Sequence, residues 1–330
     1  MNHMSFPLSD NEKQIIDNIN RLTKRGNLDN ISRTKAYAQF FDQHPSIKWA
    51  FLASMVSRNA GYNMCDLEGK WLKKGLPRPY RYTLFLTYER ANWLIFEDAF
   101  PQLLLYHYST ELGTPMFHLC KYFSISYFME KAWSYFWNER DEQRLVYSLI
   151  INEQNIIQEP VINQLFYRKH VFHSAVYLLQ DLLHFSIVLF PTLNGELYGA
   201  SVSKFSKLES RIELGKKLSA ILFSPELFPQ FLKFSSTIEH TGSRFDYEQF
   251  FKRKKSRNTP FLRTTFPVIS HHRRNFQQWE SKVKVKRKWF REPAVPQKIY
   301  INDWFAKKQK QMHLGITIEN IFTGRCCDKE

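Results

Sequence analysis

Five side chains have the chemistry to move protons: Glu97, Asp98, Glu153, His240 and Asp246. Carboxyl groups and an imidazole are the usual general acids and bases, and burial or a neighbouring charge tunes them to the task. Each lies in or beside an apolar run. Glu97-Asp98 follow Trp93–Phe96, Glu153 follows Leu149–Ile151, and His240 and Asp246 fall in Glu239–Tyr247, just ahead of a basic stretch. Polar companions accompany them: Ser57, Arg58, Asn59, Asn63 and Asp66 close a dense apolar segment, Glu89, Arg90 and Asn92 precede Glu97, Asn152 and Asn155 flank Glu153, and Ser243 and Arg244 follow His240. Burying such groups costs several kcal/mol each unless they are paired. Two readings follow. The residues form packed polar networks that fix how helices meet, or they converge on a pocket that binds a ligand or acts as a hydrolase-like site. The second requires groups far apart in the chain to share one cleft, and no residue is assigned a catalytic role on sequence alone.

The elements that must position these groups are helices. Only 11 of the 330 residues are glycine, which disfavours hairpins and glycine-rich phosphate loops. Ser9 with Glu12 forms a capping box, and Ile15, Ile16, Ile19 and Leu22 recur at helical spacing up to Gly26. Pro45-Ser46 opens a second segment, apolar on most sides. Further helices are expected near Tyr82–Phe100, Pro101–Glu111, Pro115–Phe123, Tyr127–Trp137, Arg140–Ile157, Pro160–His170, Phe172–Phe190, Ser206–Phe223 and Pro225–Ile238, with Ser224 capping the last. The fold class is therefore all-α: a single large multi-helix domain over residues 1–251, followed by a basic, mostly irregular C-terminal extension over 252–330.

Charge separates the two parts. The extension holds 20 of the 47 Lys+Arg residues and 6 of the 31 Asp+Glu, so it carries most of the +16 net charge and the body is nearly neutral. Lys252, Arg253, Lys254, Lys255, Arg257, Arg273, Arg274, Lys284, Lys286, Arg287, Lys288, Trp289 and Arg291 are its candidate polyanion contacts. Lysine and arginine neutralise phosphates and release counterions, and aromatics among them can stack on bases. Nucleic acid is the favoured partner, an anionic membrane face fits the same charge, and an extension pinned to the body by its own aromatics is the plainer alternative. Lys282-Val283-Lys284-Val285-Lys286 predicts a two-faced strand or extended segment.

Standard signatures of phosphate loops, zinc hydrolases, serine hydrolases and calcium loops are missing, the histidines lack ligand spacing, and the four cysteines form no CxxC pair. No metal or cofactor is expected. The N-terminus has no secretory pattern, and the most apolar stretches carry Glu97, Asp98, Gln180, Asp181 or His184 inside them, so a cytoplasmic protein without a membrane span is expected. Oligomeric state is not readable from the sequence.

Several of these clusters are also where the chain resembles a known family. The stretches Pro45–Gly69, Glu89–Tyr106, Ile150–Asn155, Arg211–Leu218 and His240–Tyr247 resemble motifs of the bacterial family, known from bacilli, called domain of unknown function 2515. The likeness spans roughly Thr34 to Phe251. Ser54 stands where that family usually has histidine and Cys65 where it has threonine, which weakens any catalytic role resting on that histidine. The resemblance implies a single body domain and carries no activity, substrate or cofactor. The expectation is a binding protein rather than an enzyme, with the hydrolase-like site as its alternative.

Overall fold

A computed structural model describes residues 8–164, 187–201, 206–253, 255–273, 278–294 and 298–322. It is mostly helical, with one two-stranded sheet among the described residues. The chain begins with α1 (Asp10–Gly26), whose start is held by the reciprocal Ser9 and Glu12 bonds expected from the sequence. Next comes α2 (Asn30–Gln43), which the sequence did not announce. Tyr37, Phe40 and Phe41 bury an apolar stripe in its second half, but Asn30, Arg33 and Thr34 occupy the same buried side before them, so its first turns offer no apolar stripe to read. The helix is secured instead by Asp29, which accepts from the Ser32 amide at 2.7 Å.

Helix α3 (Lys48–Leu67) buries most of its residues, and a short turn of helix, α4 (Leu72–Gly75), leads into α5 (Arg78–Leu112). The sequence predicts a break at Pro101, yet α5 runs through it for 35 residues. Phe96, Ala99, Phe100, Leu103, Leu104 and Leu105 around the proline are all buried, and this packing outweighs the one helical hydrogen bond that proline removes. The helix ends at Gly113, whose φ of 66° is left-handed. A 3-10 segment (Phe117–Phe123) precedes α6 (Tyr127–Glu139) and α7 (Glu142–Ile156), capped by Ser126 and Asp141.

The next departure is a hairpin. Strands β1 (Ile187–Pro191) and β2 (Leu197–Ser201) pair antiparallel, Leu189 opposite Gly199, where a helix ending at Phe190 and a turn were expected. Its glycine matters, since a Cβ on Gly199 would collide with the Val188 carbonyl. Most of the helices expected over 160–190 lie outside the described residues. Helices α8 (Leu208–Leu222) and α9 (Phe228–Thr237) match their expected positions, but α9 begins after Leu227, and Ser224 does not cap it. Two single turns, α10 (Phe245–Glu248) and α11 (Leu262–Thr265), and the long α12 (Asn302–Phe322) complete the order.

The core gathers Ile19, Trp49, Phe96, Trp133, Ile150 and Phe231, and it also takes in Trp279 and Trp289 from the extension. Between them the chain is extended, with Val283 and Val285 packed on the core and Lys282, Lys284 and Lys286 exposed. This is the two-faced pattern expected of that stretch. Further on, Ile301 and Phe305 are buried with Tyr62 and Tyr247. The described part of the extension therefore lies against the body, and the helix α12 replaces irregular chain over 302–322.

Candidate functional site

The last turns of α1, the middle of α5, the end of the 3-10 segment and an extended strap at 268–273 enclose a cleft of about 760 Å³. Glu97, Trp93 and Pro101 line it from α5, Thr23, Lys24 and Asn27 from α1 and its end, and His271 and Arg273 from the strap. A chain of hydrogen bonds fixes Glu97. One of its oxygens accepts from Asn27 Nδ2 at 2.9 Å, and Asn27 Oδ1 accepts from Arg33 Nε at 2.6 Å. Arg33 in turn makes a buried two-pronged ion pair with Glu89, Nη1 donating at 3.0 Å and Nη2 to the other oxygen. Beside it His271 stands 3.9 Å from Glu89 and 5.4 Å from the Trp93 ring. Burial, with Arg90 and Arg33 nearby, pushes the His271 imidazole down to about 4, so it is neutral at neutral pH. Arg90 lies over Trp93 and donates to the His272 carbonyl, pinning the strap. On the strap's other side a second cleft of about 530 Å³ reaches Glu89 and Phe85.

Asp98, next to Glu97, points elsewhere. It is buried, and it accepts from Gln102 Nε2 at 2.8 Å, Asn152 Nδ2 at 2.6 Å and Arg273 at 3.3 Å. Burial raises its carboxyl above the usual range, while Arg273 pulls the other way. The carbonyl of Asn152 accepts from Ser126 and from Trp279 Nε1, so α5, α6, α7 and the extension meet there. Glu153 accepts from Trp49 Nε1 at 3.2 Å and from Gln154, and burial pushes it up to about 7.

His240 and Asp246 do come together, Nδ1 to Oδ2 at 3.5 Å. His240 Nε2 also meets Asn30 Oδ1 at 2.8 Å, and Asn30 donates to the Ser57 carbonyl and hydroxyl. Burial holds His240 down to about 4. This close approach runs over Gly61, where a Cβ would lie 2.5 Å from His240 Nε2. Arg244 pairs with Asp66 at 2.7 Å and Ser243 binds Thr259. Arg58 donates to the Ile238 carbonyl at 2.6 Å. Asn59 holds strand β1, donating to Ile187 and accepting from the Leu189 amide. Asn92 and Asn155 donate back into their own helices, and Asn63 is partly buried.

The five proton-moving candidates are thus dispersed. Of them, only Glu97 lines either cleft described above, and Asp98, Glu153 and the His240–Asp246 pair each sit in a separate set of hydrogen bonds. Sequence reasoning missed Thr23, Asn27, Arg33 and His271. Thr23 and Arg33 continue the buried stripes of Ile15 and Ile19 in α1 and of Tyr37 and Phe40 in α2, a spacing that could have pointed to them, whereas Asn27 and His271 lie in irregular chain.

The sequence profile of a family described as "Protein of unknown function (DUF2515)" matches residues 25–305. The chain belongs to the DUF2515 family. It is also similar to the "Uncharacterized protein YppC" of Bacillus subtilis (strain 168), 48% identical over 307 residues that cover 93% of this chain and 96% of that protein. No solved structure matches it. The DUF2515 match extends past the Thr34–Phe251 stretch where the resemblance was legible, taking in Asn27, the strap and the basic stretch with Trp279 and Trp289.

That basic stretch of the DUF2515 chain presents a defined surface. Lys282, Lys284, Lys286, Arg287, Lys288 and Arg291 are exposed, and the buried Trp289 anchors them. Lys286 and Lys288 pair with Glu209 at 2.6 and 2.8 Å. Lys252, Arg253 and Arg257 are also exposed, Lys255 pairs with Glu248, and Arg273 is turned inward to Asp98. Lys254 and Arg274 lie outside the described residues. Trp279, Trp289 and Phe305 are buried and are not available to stack on bases. No helix among the described residues is long and apolar enough to cross a membrane.

Proposed function

We propose that this is a cytoplasmic binding protein that docks on a polyanion, nucleic acid foremost, through the ridge Lys282–Arg291. The observation that carries the reading is the alternation there: Val283, Val285 and Trp289 anchor the segment on the core while the lysines and arginines between them face outward. A fixed row of cations neutralises backbone phosphates without paying much ordering entropy, and it reads charge rather than base sequence. The extension's buried tryptophans support backbone contact over base stacking.

The test is binding of the full chain to a random-sequence DNA duplex, titrated against salt, beside a variant with Lys282→Gln, Lys284→Gln, Arg287→Gln and Arg291→Gln. Four lost phosphate contacts should reduce the slope of log K against log salt by about 3 to 4. An unchanged slope, or binding indifferent to salt, refutes the proposal. Truncation at Phe251 is unsuitable, because it also removes Trp279 and Trp289 from the core.

A further inference from the structure

We propose that the cleft between α1, α5 and the 268–273 strap binds a small primary-ammonium ligand with a flat apolar body. The cleft's about 760 Å³ falls in the size range of small-molecule sites. Its charge selects the ligand. Glu97 uses one carboxylate oxygen on Asn27, and no cation among the described residues forms an ion pair with it. Arg273 is engaged by Asp98, Lys24 is exposed at the rim, and His271 is neutral. An anion entering here meets Glu97; an ammonium is attracted to it.

The remaining polar atoms are also acceptors or adaptable. Thr23 is 3% exposed, and its hydroxyl has no hydrogen-bond partner among the described residues. His271 Nε2 is likewise buried without one. Both residues line the cleft. Pro101 adds a consequence of covalent structure. It stands four residues after Glu97 inside a continuous helix and has no N–H to give to the Glu97 carbonyl. The Glu97 carbonyl therefore lacks the donor that a helix ordinarily supplies to it. An ammonium with three N–H donors fits such a set, and Trp93, Tyr122, Phe123 and Pro101 supply apolar surface for the ligand's body.

The experiment uses benzylamine as the probe, with benzyl alcohol and benzoate as neutral and anionic controls of the same shape, titrated into the full chain by calorimetry or ligand-observed NMR. Benzylamine should saturate in the millimolar range, about 1 to 10 mM, as expected of a fragment, and both controls should bind at least about tenfold more weakly. Glu97→Gln keeps the shape and the acceptor for Asn27, and should weaken benzylamine about tenfold or more with the alcohol unaffected. Thr23→Val, which removes an unpartnered hydroxyl, should weaken it about threefold with no loss of thermal stability. Equal binding of amine and alcohol, no saturation by benzylamine, or wild-type affinity in Glu97→Gln overturns the proposal. The DNA titration is independent of these outcomes.

Discussion

Replacing Glu89 by glutamine tests the network that holds the cleft in place. Arg33 is 1% exposed, so the substitution strands a guanidinium in the interior with its only ion-pair partner among the described residues neutralised. Breaking a buried pair from one side costs about 3–5 kcal/mol, because the remaining charge stays desolvated. Glutamine keeps one acceptor for Arg33, and Asn27 still accepts from Arg33 Nε at 2.6 Å, which places the expected loss near the lower figure, about 3 kcal/mol. His271, 3.9 Å from Glu89 and neutral, cannot take over the role. A loss of about 3 kcal/mol is a large part of the ~5–15 kcal/mol that holds a domain together, and it is readily measured by urea denaturation as a lower midpoint at unchanged slope. The matched double variant Arg33→Met/Glu89→Met removes both charges and should recover most of the loss. If Glu89→Gln costs less than about 1 kcal/mol, or the double variant is no better than the single, the pair is not desolvated as described.

Gly61→Ala should destabilise by about 2 kcal/mol or more, seen as a lower melting temperature, because the new methyl group must separate His240 from Asn30. Trp279→Phe deletes the donor to the Asn152 carbonyl and should cost about 1–2 kcal/mol by urea titration. Stability should also carry the signature of His240. Its folded value of about 4 lies below the ~6.5 of an unfolded histidine, so the unfolded chain binds a proton first as pH falls. The contribution is whole above about pH 6.5 and declines by up to about 1.4 kcal/mol per unit toward pH 4. Glu153, raised to about 7, slopes the opposite way, so the measurement is the difference between wild type and His240→Gln across that window. Parallel curves for the two proteins count against a buried neutral imidazole.

The helical class, the capping box of α1 and the inward valines of 282–286 were legible because local periodicity decides them. Helix α2 was not, since its first turns bury Asn30, Arg33 and Thr34, and the apolar stripe of Tyr37, Phe40 and Phe41 that follows is too short to stand out. The continuity of α5 through Pro101 is a tertiary result: proline's local cost is fixed, but the packing of Phe96 and Leu103 that outweighs it comes from other helices. The clusters around Asp98, Glu153 and His240 were recognised as costly to bury, and their partners were not. Asn152, Trp279 and Asn30 reach them from distant parts of the chain, and only the fold says that the three clusters remain separate. Glu97 was found for its place in an apolar run, whereas the residues that turn it into a cleft wall, Asn27 and His271, carry no such mark.

The placement of Trp279 and Trp289 has a consequence for synthesis. The ribosome delivers a chain from its N-terminus, so helices α1 to α9 emerge while the part of the core that these tryptophans complete is still unmade. Until residue 279 is free, Asn152 lacks its indole donor and Asp98 lacks Arg273. A nascent chain arrested near residue 251 should therefore be cleaved by protease at sites that the released protein protects, and the last quarter of the protein is the part that locks the rest in place.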